Sequence, residues 1–423
     1  MSVVDKNGIM APYADYCVDA AYSDKRIPAK NGDKMITEKL YDVDAYAGEF
    51  TAVVLSCEEI VKQQKKLYEV ILDRTLFFPE EGGQTPDTGM LSDIPVEDVQ
   101  IHAGVISHML AEPIPAGQQV QGRINREHRF SNMQQHSGEH IFSGIVHALY
   151  GYDNVGFHLS DSVVTMDYNG VLSEEQISKI EQEANRVINL NLEIQISYPS
   201  AQELSMLQYR SKKEIEGQVR IVTVPGYDVC ACCAPHVRRT GEIGLLKVVS
   251  SQKYKGGVRI SILCGCRALA LFTEEHAMLT KLAASLSTAA DQIPEIIRKQ
   301  QKDNAELAGK LQQAGAELMR YRLRDIPQNQ ENVILFTEET DGRILRESVN
   351  LLTAEHSGWC AVFAGTDADG YRYIIGSAQK DARMAGQLLQ EELGAKGGGS
   401  ERMIQGQLQG VSAQKIQACL KDL

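Results

Sequence analysis

Two pairs of metal-binding side chains with the same spacing place the tightest restriction on the fold of this chain. His136 and His140 stand four residues apart in HSGEH, and Cys232 and His236 repeat that spacing in CCAPH. Residues four apart on a helix share one face, so two imidazoles placed there can bind one ion. Thiolate and imidazole ligands favour Zn²⁺ over Mg²⁺ or Ca²⁺. The sequence therefore predicts a zinc site that brings two distant segments together.

Other interpretations of these residues remain open from the sequence. HxxEH matches the inverted zinc-peptidase motif, but that site takes a carboxylate as its third ligand rather than a Cys-x-x-x-His pair. A closed tetrahedron of three imidazoles and one thiolate would instead hold a purely structural zinc, without a place for water. Four other cysteines are interpreted as small buried residues or free thiols: Cys230, Cys233, Cys264 and Cys266. Cys230 or Cys233 could also replace Cys232 as the sulfur ligand.

Size and charge restrict the class of protein. The chain has 423 residues, of which 43% are hydrophobic, and this length is enough for about three domains. The net charge of −13 argues against a protein that coats nucleic acid, because neutralising phosphates needs excess Lys and Arg. No signal peptide and no run of about 18 apolar residues are present, so we expect a cytoplasmic protein without membrane contact.

Nine unevenly spaced cysteines favour reduced thiols or metal ligands over a disulfide framework.

Local basic clusters offer contacts for RNA in spite of the acidic balance. The alternative for each cluster is a solvated loop or strand edge. The lysine of the glycine-rich tract KGGG is a further candidate, since such a tract can surround a phosphate, although a flexible loop is equally consistent. The candidates for RNA contact are Arg123, Arg126, Arg129, Arg238, Arg239 and Lys396.

The apolar pattern divides the first part of the chain in two. Residues 1–130 carry strand-like runs broken by Gly and Pro, which predicts a small β-barrel or sandwich. A capping-box pattern at Ser131 and an apolar row that stops at Gly151 predict a helix of about five turns. A second capping box at Ser173 predicts another helix, and alternating apolar residues in 192–198 predict a strand. We therefore expect an α+β domain over 131–268.

The second half shows a different composition. Residues 269–325 are poor in Gly and Pro, and a seam of mostly apolar positions in 293–318 alternates spacings of four and three, with polar Gln300 and Asn304 at two of them. That pattern predicts a long helix, either packed on its own chain as an amphipathic helix or paired in a coiled-coil dimer. Residues 326–423 carry three strand-like runs, a helix and the glycine-rich tract, which predicts a separate α/β domain. The fold class expected for the whole chain is α+β.

Four stretches together resemble the editing domain of alanyl-tRNA synthetase and its free-standing AlaX relatives. Their order and approximate spacing both agree with that family. The last ninety or so residues resemble the DHH-associated domain that ends that synthetase and the long AlaX proteins, so the resemblance runs from about residue 45 to the end. The four stretches are FFPEEGGQTPDTG (77–89), HSGEH (136–140), VGFH (155–158) and CCAPHVRRTGEIG (232–244).

The resemblance implies a zinc-dependent hydrolase that removes wrong amino acids from alanine tRNA in trans. The resemblance implies that His136, His140, Cys232 and His236 are the zinc ligands. The sequence departs from the common Cys-Gly-Gly-Thr-His form at residues 233–235, which puts the backbone contacts of that loop in doubt. Threonyl-tRNA synthetase editing domains also carry a proline before the histidine, so editing of seryl-tRNA(Thr) is an alternative, while GGQTPDTG and TGEIG favour alanine.

The resemblance also implies roles for the outer parts of the chain. It gives no aminoacylation domain, and no G-x-x-x-x-G-K-[ST] loop is present, so no use of ATP is expected. The helical linker, 269–325, and the DHH-associated domain, 326–423, are expected to supply tRNA affinity. A homodimer through 269–423 is a further expectation.

Hydrolysis of the aminoacyl ester needs an activated water and a stabilised oxyanion. Zinc either supplies both, by lowering the pKa of bound water toward ~7, or only anchors the substrate. Serine is the favoured wrong amino acid over glycine, because its hydroxyl offers a hydrogen bond that alanine lacks. The polar candidates are Gln84 and, in the predicted loop 156–160, His158 and Ser160. Glu139 is a candidate general base, or else a solvated residue or a partner of the ligand rings. Two competing functions remain for the whole protein, namely a tRNA-binding module without catalysis and a zinc hydrolase that acts on a peptide.

Overall fold

The computed structural model describes residues 36–62, 64–211 and 218–422. The chain forms two compact units, Met1–Ala277 and Met278–Leu423. Both units combine helices with sheets, so the predicted mixed α+β class is confirmed. Within the described ranges, no helix has the length and apolar character that a membrane span requires.

Six antiparallel strands at the start of the first unit close into a barrel in the order β2-β3-β7-β6-β5-β8. Burial alternates along the strands, as it does in β8, where Val120 and Ile124 face the barrel interior. Gly122 lies between them because a Cβ there would stand 2.1 Å from the Phe50 ring. The strands of this region are β1 Glu38–Lys39, β2 Glu49–Lys62, β3 Lys65–Leu72, β4 Arg74–Thr75, β5 Gly89–Leu91, β6 Ile94–His102, β7 Val105–Leu110 and β8 Gln119–Ile124.

A long helix, α1 (Arg126–Tyr150), follows the barrel and ends at Gly151, which adopts the left-handed conformation expected of a stop. The predicted start near Ser131 was wrong. Asn125 caps the helix instead, with its side chain accepting from the His128 amide. Ser131 is buried inside the helix and accepts from Arg267, so its hydroxyl serves a tertiary contact rather than a cap.

The remainder of the first unit packs two sheets and the helix α2 against α1. A four-stranded antiparallel sheet has the order β14-β15-β10-β9, and a three-stranded sheet has the order β11-β12-β13. The capping box of Ser173 and Gln176 is confirmed at the start of α2. The predicted strand over 192–198 is shorter than expected. The elements are β9 Asn154–Leu159, β10 Val164–Tyr168, α2 Glu174–Asn189, β11 Gln195–Ser197, α3 Ala201–Met206, β12 Ile221–Val224, β13 Asp228–Ala231, β14 Leu246–Tyr254, β15 Gly257–Cys264 and α4 Gly265–Ser285.

The second unit joins one long helix to a five-stranded sheet with the order β16-β17-β18-β20-β19. The strands β16 and β17 run parallel and the other pairs are antiparallel. The tract KGGG, for which a flexible loop was one of two interpretations, is the edge strand β19, because its backbone pairs with β20. The elements are α5 Ile293–Arg324, β16 Val333–Thr337, α6 Gly342–Glu355, β17 Cys360–Thr366, β18 Gly370–Gly376, α7 Ala382–Leu393, β19 Lys396–Gly399, β20 Met403–Leu408 and α8 Ala413–Cys419.

A buried histidine in the barrel should make the free energy of unfolding depend on pH. Burial lowers the pKa of His108 from 6.5 to about 4, and the neutral ring bonds Val70 and Thr75. In the unfolded chain the His108 ring is protonated below pH 6.5, whereas in the folded protein it stays neutral down to about pH 4. The unfolding free energy should therefore fall by roughly 2–3 kcal/mol between those values. Urea unfolding followed by circular dichroism should show this fall, and His108→Gln should reduce it.

The exposed His102 at the end of β6 supplies the matched control for that experiment. His102→Gln should keep the wild-type dependence of the unfolding free energy on pH, since its side chain meets water in both states. A His108→Gln protein with the same pH dependence as the wild type would contradict the assignment.

Candidate metal centre

The two pairs predicted to share an ion lie together in the first unit. One ligand atom from each of His136, His140, Cys232 and His236 lies within 4.8 Å of the other three. The Sγ of Cys232 is 3.5 Å from Nε2 of His136 and 3.4 Å from Nε2 of His236. Tetrahedral zinc, with bonds of about 2.05 Å to nitrogen and 2.3 Å to sulfur, would separate such atoms by about 3.6 Å. The donor set and its spacing therefore fit zinc.

Small residues on α1 allow the two ligand-bearing segments to meet. A Cβ at Gly138, between the two histidines, would stand 2.3 Å from the Sγ of Cys264 on β15. A Cβ at Gly144 would stand 2.4 Å from the carbonyl oxygen of Tyr227, in the turn before β13. The glycines therefore let α1 lie directly against the sheet and against the strand that leads to Cys232.

The other nitrogen of each imidazole has a fixed partner. Gln84 Oε1 lies 2.8 Å from Nδ1 of His136, and Asp228 Oδ2 lies 2.9 Å from Nδ1 of His140. Ser137 Oγ lies 3.0 Å from Nδ1 of His236. Such partners hold the ring orientation and leave Nε2 for the ion.

A second layer supports these partners. Arg210 donates to both carboxylate oxygens of Asp228, with Nε 2.7 Å from Oδ1. Arg220 donates from Nη1 to the carbonyls of Cys232 and Ala234. The second contact fixes the loop in which this sequence departs from Cys-Gly-Gly-Thr-His. Sequence reasoning did not find Asp228, Arg210 or Arg220, because no spacing rule connects them to the ligands.

Burial and charge favour the protonation states that bind zinc at two of the ligands. Burial by itself raises the pKa of the Cys232 thiol, but the imidazoles of His136 and His236 outweigh it and hold that pKa well below 9. Burial lowers the pKa of His236 to about 3. A thiolate and a neutral imidazole are the forms that coordinate metal. Burial also opposes a charge on His140, yet Cys230 and the bond to Asp228 hold its pKa well above 6.5, so zinc binding there would release a proton.

Three of the four ligands, His136, His140 and Cys232, line a cleft of about 660 Å³ in the same unit. That volume lies within the range of ligand pockets, about 300–1,000 Å³. The cluster is therefore open to a bound small group on one side, although its four side chains are largely buried. Six of the residues that line the cleft are His136, His140, Cys232, Glu81, Phe157 and Arg220.

Two family models match separate parts of the chain. The model described as threonyl and alanyl tRNA synthetase second additional domain matches residues 219–261, which contain the cysteine–histidine pair. The model described as tRNA synthetases class II (A) matches residues 25–128.

Individual relatives extend the match over most of the chain. The alanyl-tRNA editing protein Aarsd1 of Rattus norvegicus is 28% identical over 402 residues, which cover 90% of this chain and 96% of the relative. The alanyl-tRNA editing protein AlaX-L of Pyrococcus horikoshii is 32% identical over 274 residues, which cover 62% of this chain and 66% of the relative. This chain belongs to the alanyl-tRNA editing proteins. The alanine–tRNA ligase of Ignicoccus hospitalis is 27% identical over 377 residues, but the match covers only 40% of that ligase.

In the structure of this editing protein, two of the catalytic candidates, Gln84 and Glu139, are buried beside the ligands. Gln84 is 1% exposed and its amide oxygen is engaged by His136. Glu139 is also buried and accepts from Ser143 and Asn154, while its Oε2 lies 4.0 Å from Nε2 of His140. It is thus an enclosed neighbour of a ligand rather than a solvated residue.

The expectation for the segment 156–160 needs correction. Most of it belongs to the strand β9 rather than to a loop. Because Phe157 lines the cleft and successive side chains of a strand point to opposite faces, His158 points away from the cleft and is exposed. Ser160 bonds Ser162 and the Val163 carbonyl instead of facing the ligands.

Arg129, predicted to contact RNA, lies in the interior. It pairs with Asp87 and also donates to the carbonyls of Leu76 and Ala45, and it is only 2% exposed. The guanidinium therefore connects α1 to the barrel and is not at a surface that RNA can reach.

The other arginine candidates and Lys396 are exposed. Arg238 stacks on the Tyr46 ring at 4.2 Å and pairs with Asp44. Arg239 donates to the carbonyl of Asn191. The exposed candidates for RNA contact are Arg123, Arg126, Arg238, Arg239 and Lys396.

Removing the amide that orients His136 should weaken zinc binding. Gln84→Ala leaves Nδ1 of His136 without its partner, and the loss of such a partner typically lowers metal affinity about 10- to 100-fold. Competition against a chromogenic zinc chelator measures this change. Gln121→Ala, at an exposed position on β8, should bind zinc as the wild type does. Unchanged zinc affinity in Gln84→Ala would count against the role of the amide.

Proposed function

We propose that this protein is an aminoacyl-tRNA deacylase that hydrolyses the ester bond of wrongly charged alanine tRNA in trans. The observation that carries the proposal is the zinc-type ligand set on the wall of a cleft of about 660 Å³. Two of its relatives, from Rattus norvegicus and Pyrococcus horikoshii, are named alanyl-tRNA editing proteins, which agrees with it. A tRNA substrate would place the reaction in the cytoplasm.

The zinc would be held by the two pairs of ligands on α1 and after β13. When bound, it would supply a Lewis acid for the ester carbonyl or a water of lowered pKa. The protein's own part is to fix the ligand rings through Gln84, Asp228 and Ser137. Glu139 accepts two hydrogen bonds that hold its carboxylate in place, which supports a role beside His140 more than transfer of a proton to and from water.

Serine is the favoured wrong amino acid, and glycine is the second. A site that pairs with the serine hydroxyl leaves its own polar groups unpaired when alanine occupies it, and this can reduce hydrolysis of the alanyl ester by on the order of 10⁴. Glycine offers no group of that kind. The His158 side chain is on the wrong face for this contact, so any such group must be another residue of the cleft.

A panel of charged tRNAs tests the proposed function. The purified protein should hydrolyse seryl-tRNA(Ala) fastest and spare alanyl-tRNA(Ala), with glycyl-tRNA(Ala) between them. Faster hydrolysis of seryl-tRNA(Thr) would assign the protein to threonine tRNA, an alternative that the shared family model of the two synthetases supports. Binding of every tRNA without hydrolysis of any would support a tRNA-binding module whose four ligands close around a structural zinc.

We also propose the division of labour along the chain. The barrel, residues 1–130, and the editing domain, 131–268, would carry the chemistry, since all four ligands lie there. The helical linker, 269–325, and the DHH-associated domain, 326–423, would supply tRNA affinity and a homodimer contact. The long helix α5 supports the dimer because Leu307, Leu311 and Leu318 of its apolar seam are 61–75% exposed.

Loss of the second unit should affect tRNA binding more than catalysis. A protein cut after Ser285, where α4 ends, keeps all ligands and leaves that helix whole. We expect its KM for seryl-tRNA(Ala) to rise by about 10-fold or more while kcat changes little, the result of losing binding that substrate and transition state share. Steady-state kinetics and sedimentation test this, with a full-length dimer and a truncated monomer expected. Loss of kcat at saturating tRNA in a folded truncated protein would contradict the division.

A further inference from the structure

The cleft wall holds a carboxylate oxygen without a partner among the described residues. Glu81 lines the cleft together with His136 and Cys232. Its Oε2 is buried, and nothing in ranges 36–62, 64–211 and 218–422 hydrogen-bonds to it. A buried charged oxygen that lacks a donor costs more than an ordinary lost hydrogen bond. A bound group with donor hydrogens would remove that cost.

A tight turn fixes Glu81 beside the metal ligands. The amide of Gln84 donates to the Glu81 carbonyl at 3.1 Å, and the two glycines between them have φ of 65° and 84°. These values belong to a turn that glycine favours, with its ends less than about 7 Å apart. The far end of the turn, Gln84, bonds the ligand His136 at 2.8 Å. The carboxylate is therefore tied to the ligand cluster through one turn.

The other side of the turn touches the second ligand segment. A Cβ built on Gly82 would lie 3.7 Å from the Sγ of Cys233, the residue after the ligand Cys232. Burial, followed by the negative charges of Cys232 and Glu81, raises the pKa of the Cys233 thiol. Glu81 thus stands between both ligand segments, at the edge of the space that an ester bound at the metal would occupy.

Asp42 and Arg220 are two other charged groups on this wall, and Lys39 is a further cation among the lining residues. Asp42 lies 3.6 Å from Nε of Arg220, and Arg220 also donates to the carbonyls of the ligand loop. The Oε2 of Glu81 is a buried carboxylate oxygen of this wall that receives no hydrogen bond from the described residues.

An aminoacyl ester carries one cation, the α-ammonium group, on the carbon next to the carbonyl that is attacked. Hydrogen bonds between an ammonium and a carboxylate are shorter and stronger than those between neutral groups. We propose that Glu81 binds the α-ammonium of the aminoacyl group and thereby selects esters with a free amine over esters with an acylated amine, such as peptidyl esters. This inference rests on the proposed function.

The test compares two substrates that differ only at the amine, seryl-tRNA(Ala) and N-acetylseryl-tRNA(Ala). Glu81→Gln keeps the size of the side chain but removes the charge. It should lower kcat/KM for the free amine by about 10- to 100-fold, the usual worth of a hydrogen bond to a charged group, and change hydrolysis of the acetylated ester by less than about 3-fold. Glu80→Gln is the matched control, because Glu80 is exposed and bonds Gln100 outside the cleft, and it should change neither rate.

An equal loss on both substrates, or no loss on either, would overturn the assignment. Zinc content and circular dichroism show whether the Glu81→Gln protein is folded. Calorimetry with 3′-serylamino-3′-deoxyadenosine and its N-acetyl form measures whether Glu81 binds the α-ammonium, and it does so without any hydrolysis. The wild type should bind the free amine about 10-fold more tightly or better, and Glu81→Gln should lose that preference. Absence of hydrolysis together with this preference would reject the proposed function but keep the ammonium site, whereas a variant that retains the preference would reject the site.

Discussion

Cys232→Ala should lose tightly bound zinc and lose more than about 100-fold in kcat/KM for seryl-tRNA(Ala). The reason is that partners of metal ligands alone contribute about 10- to 100-fold, and Cys232 is itself the thiolate at 3.4–3.5 Å from two ligand nitrogens. Elemental analysis of the purified variant gives the zinc content, and single-turnover deacylation gives the rate.

The neighbouring cysteines make this experiment decisive about the identity of the sulfur ligand. Cys233→Ala and Cys266→Ala should both keep one zinc per chain, since neither residue belongs to the ligand cluster that contains Cys232. A Cys232→Ala protein with full zinc and full activity, or a Cys233→Ala protein without zinc, would show that the assignment of the sulfur ligand is wrong.

Arg129→Ala should lower the free energy of unfolding of the first unit by about 3–5 kcal/mol, the usual cost of removing one partner from a buried ion pair. The substitution leaves the buried carboxylate of Asp87 with the Phe78 amide as its remaining donor. It also leaves the Leu76 and Ala45 carbonyls without the guanidinium. Urea unfolding followed by circular dichroism measures the loss.

Arg126→Ala is the control for that substitution, because Arg126 is exposed one turn earlier on the same helix. It should change the unfolding free energy by less than about 0.5 kcal/mol. Replacing both members of the buried pair, with Arg129→Met and Asp87→Leu, should cost less than Arg129→Ala alone, since no unpaired charge remains. A cost below about 1 kcal/mol for Arg129→Ala would contradict the role given to this pair.

The cluster of candidate zinc ligands was predictable because each ligand pair is defined by residues close together in the sequence. Each pair of ligands stands four residues apart, and ligand chemistry alone selects zinc. The partners of those ligands were not predictable, since Asp228 reaches His140 across 88 positions of sequence. Gln84 was found through the resemblance as a candidate contact for the serine hydroxyl. Its bond to His136 was not predicted, because nothing in GGQ states that a turn will direct its amide toward His136.

Predictions of local structure were correct where one signal acted alone. Ser173 caps α2 as its capping box requires, and Gly151 ends α1. They were wrong where a tertiary contact took over. Asn125 caps α1 while Ser131 binds Arg267. Of the tract KGGG, the loop alternative does not hold, since its backbone pairs with β20 as an edge strand.

Charged residues were the hardest to place. Arg129 and Arg126 are three positions apart, and the sequence gives both the same role. The structure buries the first and exposes the second, because three residues along a helix of 3.6 residues per turn leaves the two side chains at different angles to the barrel. Only the position of the barrel against α1 decides which arginine can contact RNA.

Titration of zinc into metal-depleted protein, with the initial rate of seryl-tRNA(Ala) hydrolysis as the readout, tests the central claim most directly. That claim is that His136, His140, Cys232 and His236 hold the ion that the deacylase uses. The rate should rise in proportion to added zinc and stop rising at one equivalent per chain, while alanyl-tRNA(Ala) stays intact throughout. Full hydrolysis of seryl-tRNA(Ala) by the metal-free protein, provided that it remains folded by circular dichroism, would contradict the account.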